Sequence, residues 1–441
     1  MRKQQHRRSV NCLKLLVALC LVAPALHTPN AARAQVRSVY EEGALGLGLL
    51  LRRLQTTASV LHVGAHPDDE DSALVARLAR GDGARVAYLS LTRGEGGQNR
   101  IGPELFEALG VIRTEELLQA RRLDGGEQFF TRAFDFGFAK TRAEAAARWD
   151  EREILGDIVR VIRTFRPTVI VSRFRGTPED GHGHHQFAGH LTPLAFRAAA
   201  DPAEFPEQIA EGLRPWQAQK LYVSENLRLP ARPAAQTNAN ANANTTTNAN
   251  ATAGAPNVVR IETGEHDPLL GRSHYELAME GRSQHKSQGE GQLELRGPQA
   301  SGVRLVERAP SPPGSPEVER NIFDGLDTSI SGITRAARLS GPAAQTLLDG
   351  LAEIERNAAL AIDNYNVNDP NTVLAALHAG LTRTHAARTS LAKLGDATTG
   401  AGGPARGVAA GAADPASARD ADLLLARKES EFAEALRLAL G

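Results

Sequence analysis

Ser59-Val-Leu-His-Val-Gly-Ala-His-Pro-Asp-Asp-Glu70 is an apolar run that stops abruptly in ionisable side chains. Residues 59–65 read as a short buried strand, and Asp69 to Arg80 as a helix with Ala73, Leu74, Ala76, Leu78 and Ala79 apolar. Residues 84–91 read as a second strand, 104–123 and 148–165 as helices, and Pro167 to Ser172 as a third strand entered from a proline. Strands alternating with helices predict βαβ units, hence an α/β fold with a parallel sheet covered by helices. Ligands of such sheets bind beyond the carboxyl ends of the strands. The unusual residues of this chain follow the strands that end at 65, 91 and 172.

The chain has 441 residues, enough for two or three domains or one large domain with extensions. Its composition excludes collagen, a full-length coiled coil and a disulfide scaffold. Lys+Arg and Asp+Glu both number 51, so no basic surplus marks a nucleic-acid binder. A mean hydropathy of −0.30 excludes a polytopic membrane protein. The first 34 residues combine Arg2, Lys3, Arg7 and Arg8, an apolar run from Leu13 to Leu26, and Ala32-Arg-Ala34. This predicts a signal peptide cleaved after Ala34 and a secreted or periplasmic protein without a stable membrane span; an uncleaved anchor is the alternative. Cleavage removes six basic residues, no acidic ones and both cysteines, Cys12 and Cys20. A metal site in the mature chain must therefore use His and carboxylates.

A catalytic α/β region is expected over 35–232, interrupted by an Asn/Ala/Thr-rich disordered loop at 233–257 and resuming over 258–325. Residues 326–441 read as a helical region with a flexible linker near 395–417.

His66-Pro-Asp-Asp-Glu70 sets four ionisable side chains in five residues at a strand end. His66 and Asp69, three apart at a helix start, can converge on one point. An imidazole with a carboxylate suits a borderline metal such as zinc. A further carboxylate, Asp68, would sit beside a metal-bound water and could take its proton. Capping of the next helix by Asp68 or Asp69 is the rival reading. After the third strand come His182, His184 and His185, three of the chain's 13 histidines in four residues. Three protein ligands with an open position form the catalytic-zinc pattern, and His66, Asp69 and one of these histidines would complete it. A solvated His-rich loop is the alternative. Thr92-Arg-Gly-Glu-Gly-Gly-Gln-Asn99 lacks the dinucleotide spacing and reads as a tight active-site loop with Glu95 as a polar contact, or as a plain turn. Arg113 would hold a hydroxylated or anionic substrate, or else a surface carboxylate.

Taken together, Ala65-His-Pro-Asp-Asp-Glu70, Thr92-Arg-Gly-Glu-Gly-Gly97, Arg113-Thr-Glu115 and His182-Gly-His-His185 resemble the PIG-L/LmbE family of zinc-dependent deacetylases over roughly 58–230, continuing to about 325. The resemblance implies a Rossmann-like fold and hydrolysis of N-acetyl groups on a small or glycan N-acetylglucosamine-type sugar. It implies Zn2+, or another divalent ion such as Fe2+, held by His66, Asp69 and His185. Asp68 would be the base, and His182 would stabilise the oxyanion or protonate the leaving amine. Many members read His-Pro-Asp-His in the last motif. Here His184 stands at the Asp position, which leaves His184 and His185 in competition as third ligand. Glu95, Arg113, His184 and His285 are assigned to the substrate side, with a structural role as the alternative for His285. Other amidase activities on the same scaffold, on a thiol-sugar conjugate or an acylated metabolite, and a non-catalytic metal- or sugar-binding role are the competing functions.

Overall fold

The structure is a computed structural model that describes residues 40–225, 227, 258–310, 318–336, 341–399 and 415–441. The expected leader and the low-complexity loop at 233–257 lie outside the described residues. All described residues belong to one compact unit, Ser38–Gly441.

The elements in chain order are α1 (Gly43–Leu54), β1 (Ser59–Gly64), α2 (Ser72–Ala76), β2 (Arg85–Ser90), α3 (Glu107–Asp124), β3 (Glu127–Phe130), α4 (Arg142–Ala146), α5 (Glu151–Phe165), β4 (Val169–Ser172), α6 (Gly183–Ala198), α7 (Pro206–Ala210) and β5 (Lys220–Glu225). They continue with β6 (Val258–Glu262), β7 (His266–Asp267), β8 (Arg272–Ser273), α8 (His274–Arg282), β9 (Ala300–Arg308), α9 (Ile333–Ala336), α10 (Gly341–Asp363), α11 (Leu374–Thr399) and α12 (Pro415–Leu440). Seven strands form one sheet in the order β3-β2-β1-β4-β5-β9-β6, and β7-β8 form a small hairpin pair. The five strands from β3 to β5 run parallel, while β9 is antiparallel to both β5 and β6. The fold is thus the expected α/β type, mostly parallel with helices on both faces.

All six residues of β1 are buried. A central parallel strand is covered on both sides, so its sequence is continuously apolar and does not alternate. Leu61 and Val63 pack with Ile158, Ile162, Phe187 and Leu191 of α5 and α6. Val60 points the other way, towards Leu74 and Val75 of α2 and Val171 of β4. The order reverses between β1 and β4: β2 and β3 extend to one side, β5 to the other. That switch point opens a crevice at the carboxyl ends of β1 and β4.

α2 starts later than the sequence suggests. Asp71 caps it, accepting from the Leu74 amide at 3.0 Å. Residues 65–70 are spent on the turn out of β1, and after Ala76 the helix widens so that the Asp82 amide reaches the Arg77 carbonyl at 3.0 Å.

The C-terminal helices do not stand apart from the rest. Leu47, Leu51 and Leu54 of α1 share one core with Leu351, Ile354, Leu377 and Phe432. Gly380 makes this possible, because a Cβ there would lie 2.3 Å from the Phe432 ring. Lys428 Nζ donates to the carbonyls of Arg53 (2.7 Å) and Thr56 (2.6 Å), and Arg166 pairs with Asp420. These contacts precede β1 and β4, so the bundle braces the sheet edge opposite the crevice. α11 runs on to Thr399 and α12 begins at Pro415, so helix occupies both ends of the stretch read as a linker.

Candidate metal centre

The exit from β1 is shaped by Gly64, where a Cβ would meet the Tyr88 hydroxyl at 2.3 Å. The hydroxyl instead donates to the His66 carbonyl at 2.6 Å. Asp69 folds back and accepts the amides of Ala65 (2.9 Å) and His66 (2.7 Å). With Asp71 as the cap, Asp68 and Asp69 are released from helix capping.

On the other side of the switch point, α6 starts at the histidine cluster. His182 is its N-cap, its Nδ1 accepting the His184 amide at 3.0 Å. His185 stacks on Phe174, ring centroids 4.0 Å apart and planes 9° from parallel. Its Nδ1 lies 3.1 Å from the Asp180 carbonyl. A carbonyl only accepts, so Nδ1 carries the hydrogen and Nε2 keeps its lone pair.

That Nε2 lies 3.2 Å from His66 Nδ1 and 3.3 Å from Asp69 Oδ1, and His66 Nδ1 lies 3.2 Å from the other oxygen, Asp69 Oδ2. Ligand atoms about 2.0–2.1 Å from a tetrahedral zinc are separated by roughly 3.3–3.4 Å. The contacts of this triangle are of that length, one to each Asp69 oxygen, one atom from each residue lies within 4.8 Å of the others, and the donor set of two imidazoles and one carboxylate suits such an ion. The surroundings favour positive charge. Burial opposes protonation of His66, yet Asp69 and Asp135 outweigh it and raise its pKa. Burial likewise opposes ionisation of Asp69, yet His185 and His66 hold its pKa well below the usual range. Of the two contested histidines, His185 groups with His66 and Asp69, while His184 groups with His66 and His182 in a second set of nitrogens close enough to hold an ion.

His184 lies deeper, fully buried. Its ring packs against Trp149 and Phe136, with centroids 4.3 and 4.4 Å away, and its Nδ1 is 3.1 Å from His66 Nε2. Burial, with His66 and His182 nearby, pushes its pKa down to about 2, so it is neutral.

The remaining expected residues brace the walls. Arg113 is buried and donates to Asp68 Oδ1 (3.0 Å) and to the Gly94 carbonyl (3.1 Å). Gly94 has φ +74°, and a Cβ there would overlap the Arg113 guanidinium. Glu95 accepts the amides of Arg93 and Asp135, both at 3.1 Å, which ties the loop after β2 to the loop after β3. His285 is fully buried, 3.5 Å from Glu70, which also pairs with Arg121 at 2.9 Å. Arg113 and Glu95 therefore hold the loops. His184 and His285 are both fully buried, the first beside His66 and the second beside Glu70.

Sequence reasoning passed over Asp135, Trp149 and the aromatic loop after β3. The signal available was Phe134-Asp-Phe-Gly-Phe138, which gathers three of the 13 phenylalanines around one acid. Phe138 is exposed and its ring centroid lies 5.0 Å from that of His182.

Residues 61–196 match the family model described as PIG-L: GlcNAc-PI de-N-acetylase. This segment belongs to the PIG-L family. The PIG-L segment contains every residue of the ligand triangle, together with Asp68, Glu95, Arg113, Asp135 and His182; His285 and the C-terminal helices lie beyond it. The chain is 32% identical over 177 residues to a 1D-myo-inositol 2-acetamido-2-deoxy-alpha-D-glucopyranoside deacetylase 2 of Saccharopolyspora erythraea, covering 36% of this chain and 62% of the relative. It is 30% identical over 188 residues to a mycothiol S-conjugate amidase of Streptomyces coelicolor, covering 39% of this chain and 62% of the relative. The chain thus spans about three-fifths of the length of these relatives. Among solved structures, an N,N'-diacetylchitobiose deacetylase from Pyrococcus horikoshii superposes with a TM-score of 0.36 at 19% identity, over 52% of this chain and 70% of that one.

Proposed function

We propose that the protein is an exported, metal-dependent amide hydrolase that removes the acetyl group from an N-acetylglucosamine-type sugar. The observation that carries this reading is the triangle of His66, Asp69 and His185, edges 3.2–3.3 Å, with the Asp68 carboxylate next in the chain. The names of the relatives, a glucosaminide deacetylase and a thiol-conjugate amidase, support an amide substrate. A divalent cation held by the triangle would polarise the acetamide carbonyl and lower the pKa of water towards about 7.

The chain's own residues supply the proton chemistry. Asp68 is held by Arg113 through Oδ1. Among the described residues its Oδ2 has no hydrogen-bond partner, and it is the oxygen we assign to take a proton from the attacking water. His182 Nδ1 accepts the His184 amide, so its neutral ring carries the hydrogen on Nε2. Burial, with His66 and His185 beside it, lowers the His182 pKa to about 4. At neutral pH it acts as a hydrogen-bond donor to the developing oxyanion, a contribution of about 3–4 kcal/mol for one such donor. Asp68 then returns its proton to the leaving nitrogen, and acetate and the free amine depart.

The test is acetate release from a panel of N-acetylated glucosamine derivatives, with and without a chelator. Release abolished by chelation and restored by Zn2+ is expected; chelator-insensitive release, or none from any amide, refutes the reading. Fe2+ restoring more activity than Zn2+ would reassign the ion. The match to the S-conjugate amidase favours one second reading, cleavage of a thiol-sugar conjugate, which the same panel separates if it includes such an amide. Export rests on the basic, apolar and small-residue succession of residues 1–34. A mature N-terminus at Gln35 in the exported fraction is the expected result.

A further inference from the structure

His66 faces two ways. Its Nδ1 belongs to the ligand triangle, and its Nε2 points at His184 Nδ1 (3.1 Å) and at Asp135 Oδ2 (3.8 Å). Asp135 also lies 3.8 Å from His184 Nδ1 through Oδ1, and its side chain is only 5% exposed. An imidazole that offers Nδ1 to a cation must carry its hydrogen on Nε2. That hydrogen is buried here and requires an acceptor. His184 Nδ1 is within reach to supply one, but the far nitrogen of that ring, Nε2, is buried without a partner between Trp149 and Phe136. An imidazole in an aromatic slot, with no hydrogen bond to fix its far side, is a weak anchor. The nearby charge able to fix the His66 hydrogen is the Asp135 carboxylate.

Asp135 is itself held. Its amide donates to Glu95 at 3.1 Å, and its Oδ1 accepts the Gly137 amide at 2.8 Å. Gly137 has φ +91°, and the two loops meet so closely that a Cβ on Gly96 would lie 2.1 Å from the Gly137 nitrogen. The carboxylate is thereby kept beside the two imidazoles at a position reached from β3, outside the His182–His185 motif.

We propose that Asp135 is a positioning residue for the metal centre. Through its charge it holds the His66 hydrogen on Nε2, against His184, and so keeps the Nδ1 lone pair on the ligand triangle. Carboxylates behind metal-bound histidines raise ligand basicity and metal affinity in this way. The inference rests on the metal-centre reading given above and adds a residue to it.

Asp135→Asn keeps an oxygen for the Gly137 amide and removes the charge, so it separates positioning from loop closure. Asp135→Ser is the second variant, since a hydroxyl also caps a turn. Zinc affinity of the metal-free full chain is measured by competition with a chromophoric chelator, and the melting temperature of each metal-free protein alongside it. The expected result is zinc binding weakened by about tenfold or more in both variants, with metal-free melting unchanged. Wild-type zinc affinity in Asp135→Asn overturns the proposal, as does weakened binding accompanied by a matching fall in metal-free melting. A wild-type chain that binds no zinc refutes the metal centre itself, a result distinct from equal affinity in wild type and variant.

Discussion

His185 Nε2 stands 3.3 Å from the Asp69 carboxylate, although one is delivered by the exit of β1 and the other by the first turn of α6. The switch in strand order makes the two meet, since β1 and β4 are neighbours that pass their chains to the same sheet edge. Asp69 contributes twice, as a corner of the triangle and as acceptor of two backbone amides. Asp69→Asn is therefore the informative substitution, because an amide oxygen retains an acceptor while the anionic ligand is lost. We expect metal content to fall from one equivalent to near zero and activity with it. One full equivalent of zinc in Asp69→Asn, by elemental analysis, would falsify the ligand set.

Asp68 differs from its neighbour in touching Arg113 and not the histidines. Asp68→Asn should leave metal content unchanged and lower kcat by about 10²–10⁴, the usual contribution of a positioned proton-transfer group. Steady-state kinetics with metal analysis checks this, and a kcat within a factor of three of wild type removes Asp68 from the mechanism.

Much of this arrangement is legible in the sequence. The continuous apolar run of β1 and the prolyl entry to β4 announce a buried parallel sheet, and the clustering of His and Asp just past those strands announces the site. Other features are not local. β3 is short and half-buried throughout, β9 is buried at only three of its nine positions, and α1 reads as a bare leucine run until Leu351 and Phe432 cover it. The difference between His184 and His185 is also invisible in the chain. It arises because one ring enters the Trp149–Phe136 slot while the other stacks on Phe174. Asp135 escapes for the same reason, as its meaning depends on a distance to His66.

Glu70 shares the motif but not the chemistry. It is fully buried and pairs with Arg121, which also holds Asp124 at 2.5 Å. Burial opposes its ionisation, but Arg121 and His285 prevail and lower its pKa to about 2. A carboxyl depressed on folding stabilises the native state above its unfolded pKa, and the stabilisation is lost as pH falls through the folded value. Stability should therefore decline between about pH 5 and pH 2 in the wild type, and Glu70→Gln should remove part of that dependence. At neutral pH the same variant leaves Arg121 with one carboxylate, and a cost of about 3–5 kcal/mol is expected for breaking a buried pair. Urea unfolding at pH 7 and pH 3 tests both, and an undiminished pH slope in Glu70→Gln contradicts the assignment.

The helical bundle and the metal centre occupy opposite edges of the sheet, so damage to one should spare the other. Phe432 is fully buried and its ring covers Gly380. Phe432→Ala opens a cavity in the core shared by α1, α10, α11 and α12, with an expected loss of about 3–5 kcal/mol. No residue of the ligand triangle touches that core, so kcat per folded molecule and zinc stoichiometry should match wild type below the new melting temperature. A variant that melts lower yet retains both is the expected outcome. If zinc binding fails while the protein is still folded, the bundle is coupled to the crevice through α1 and β1, and the opposite edges do not behave independently.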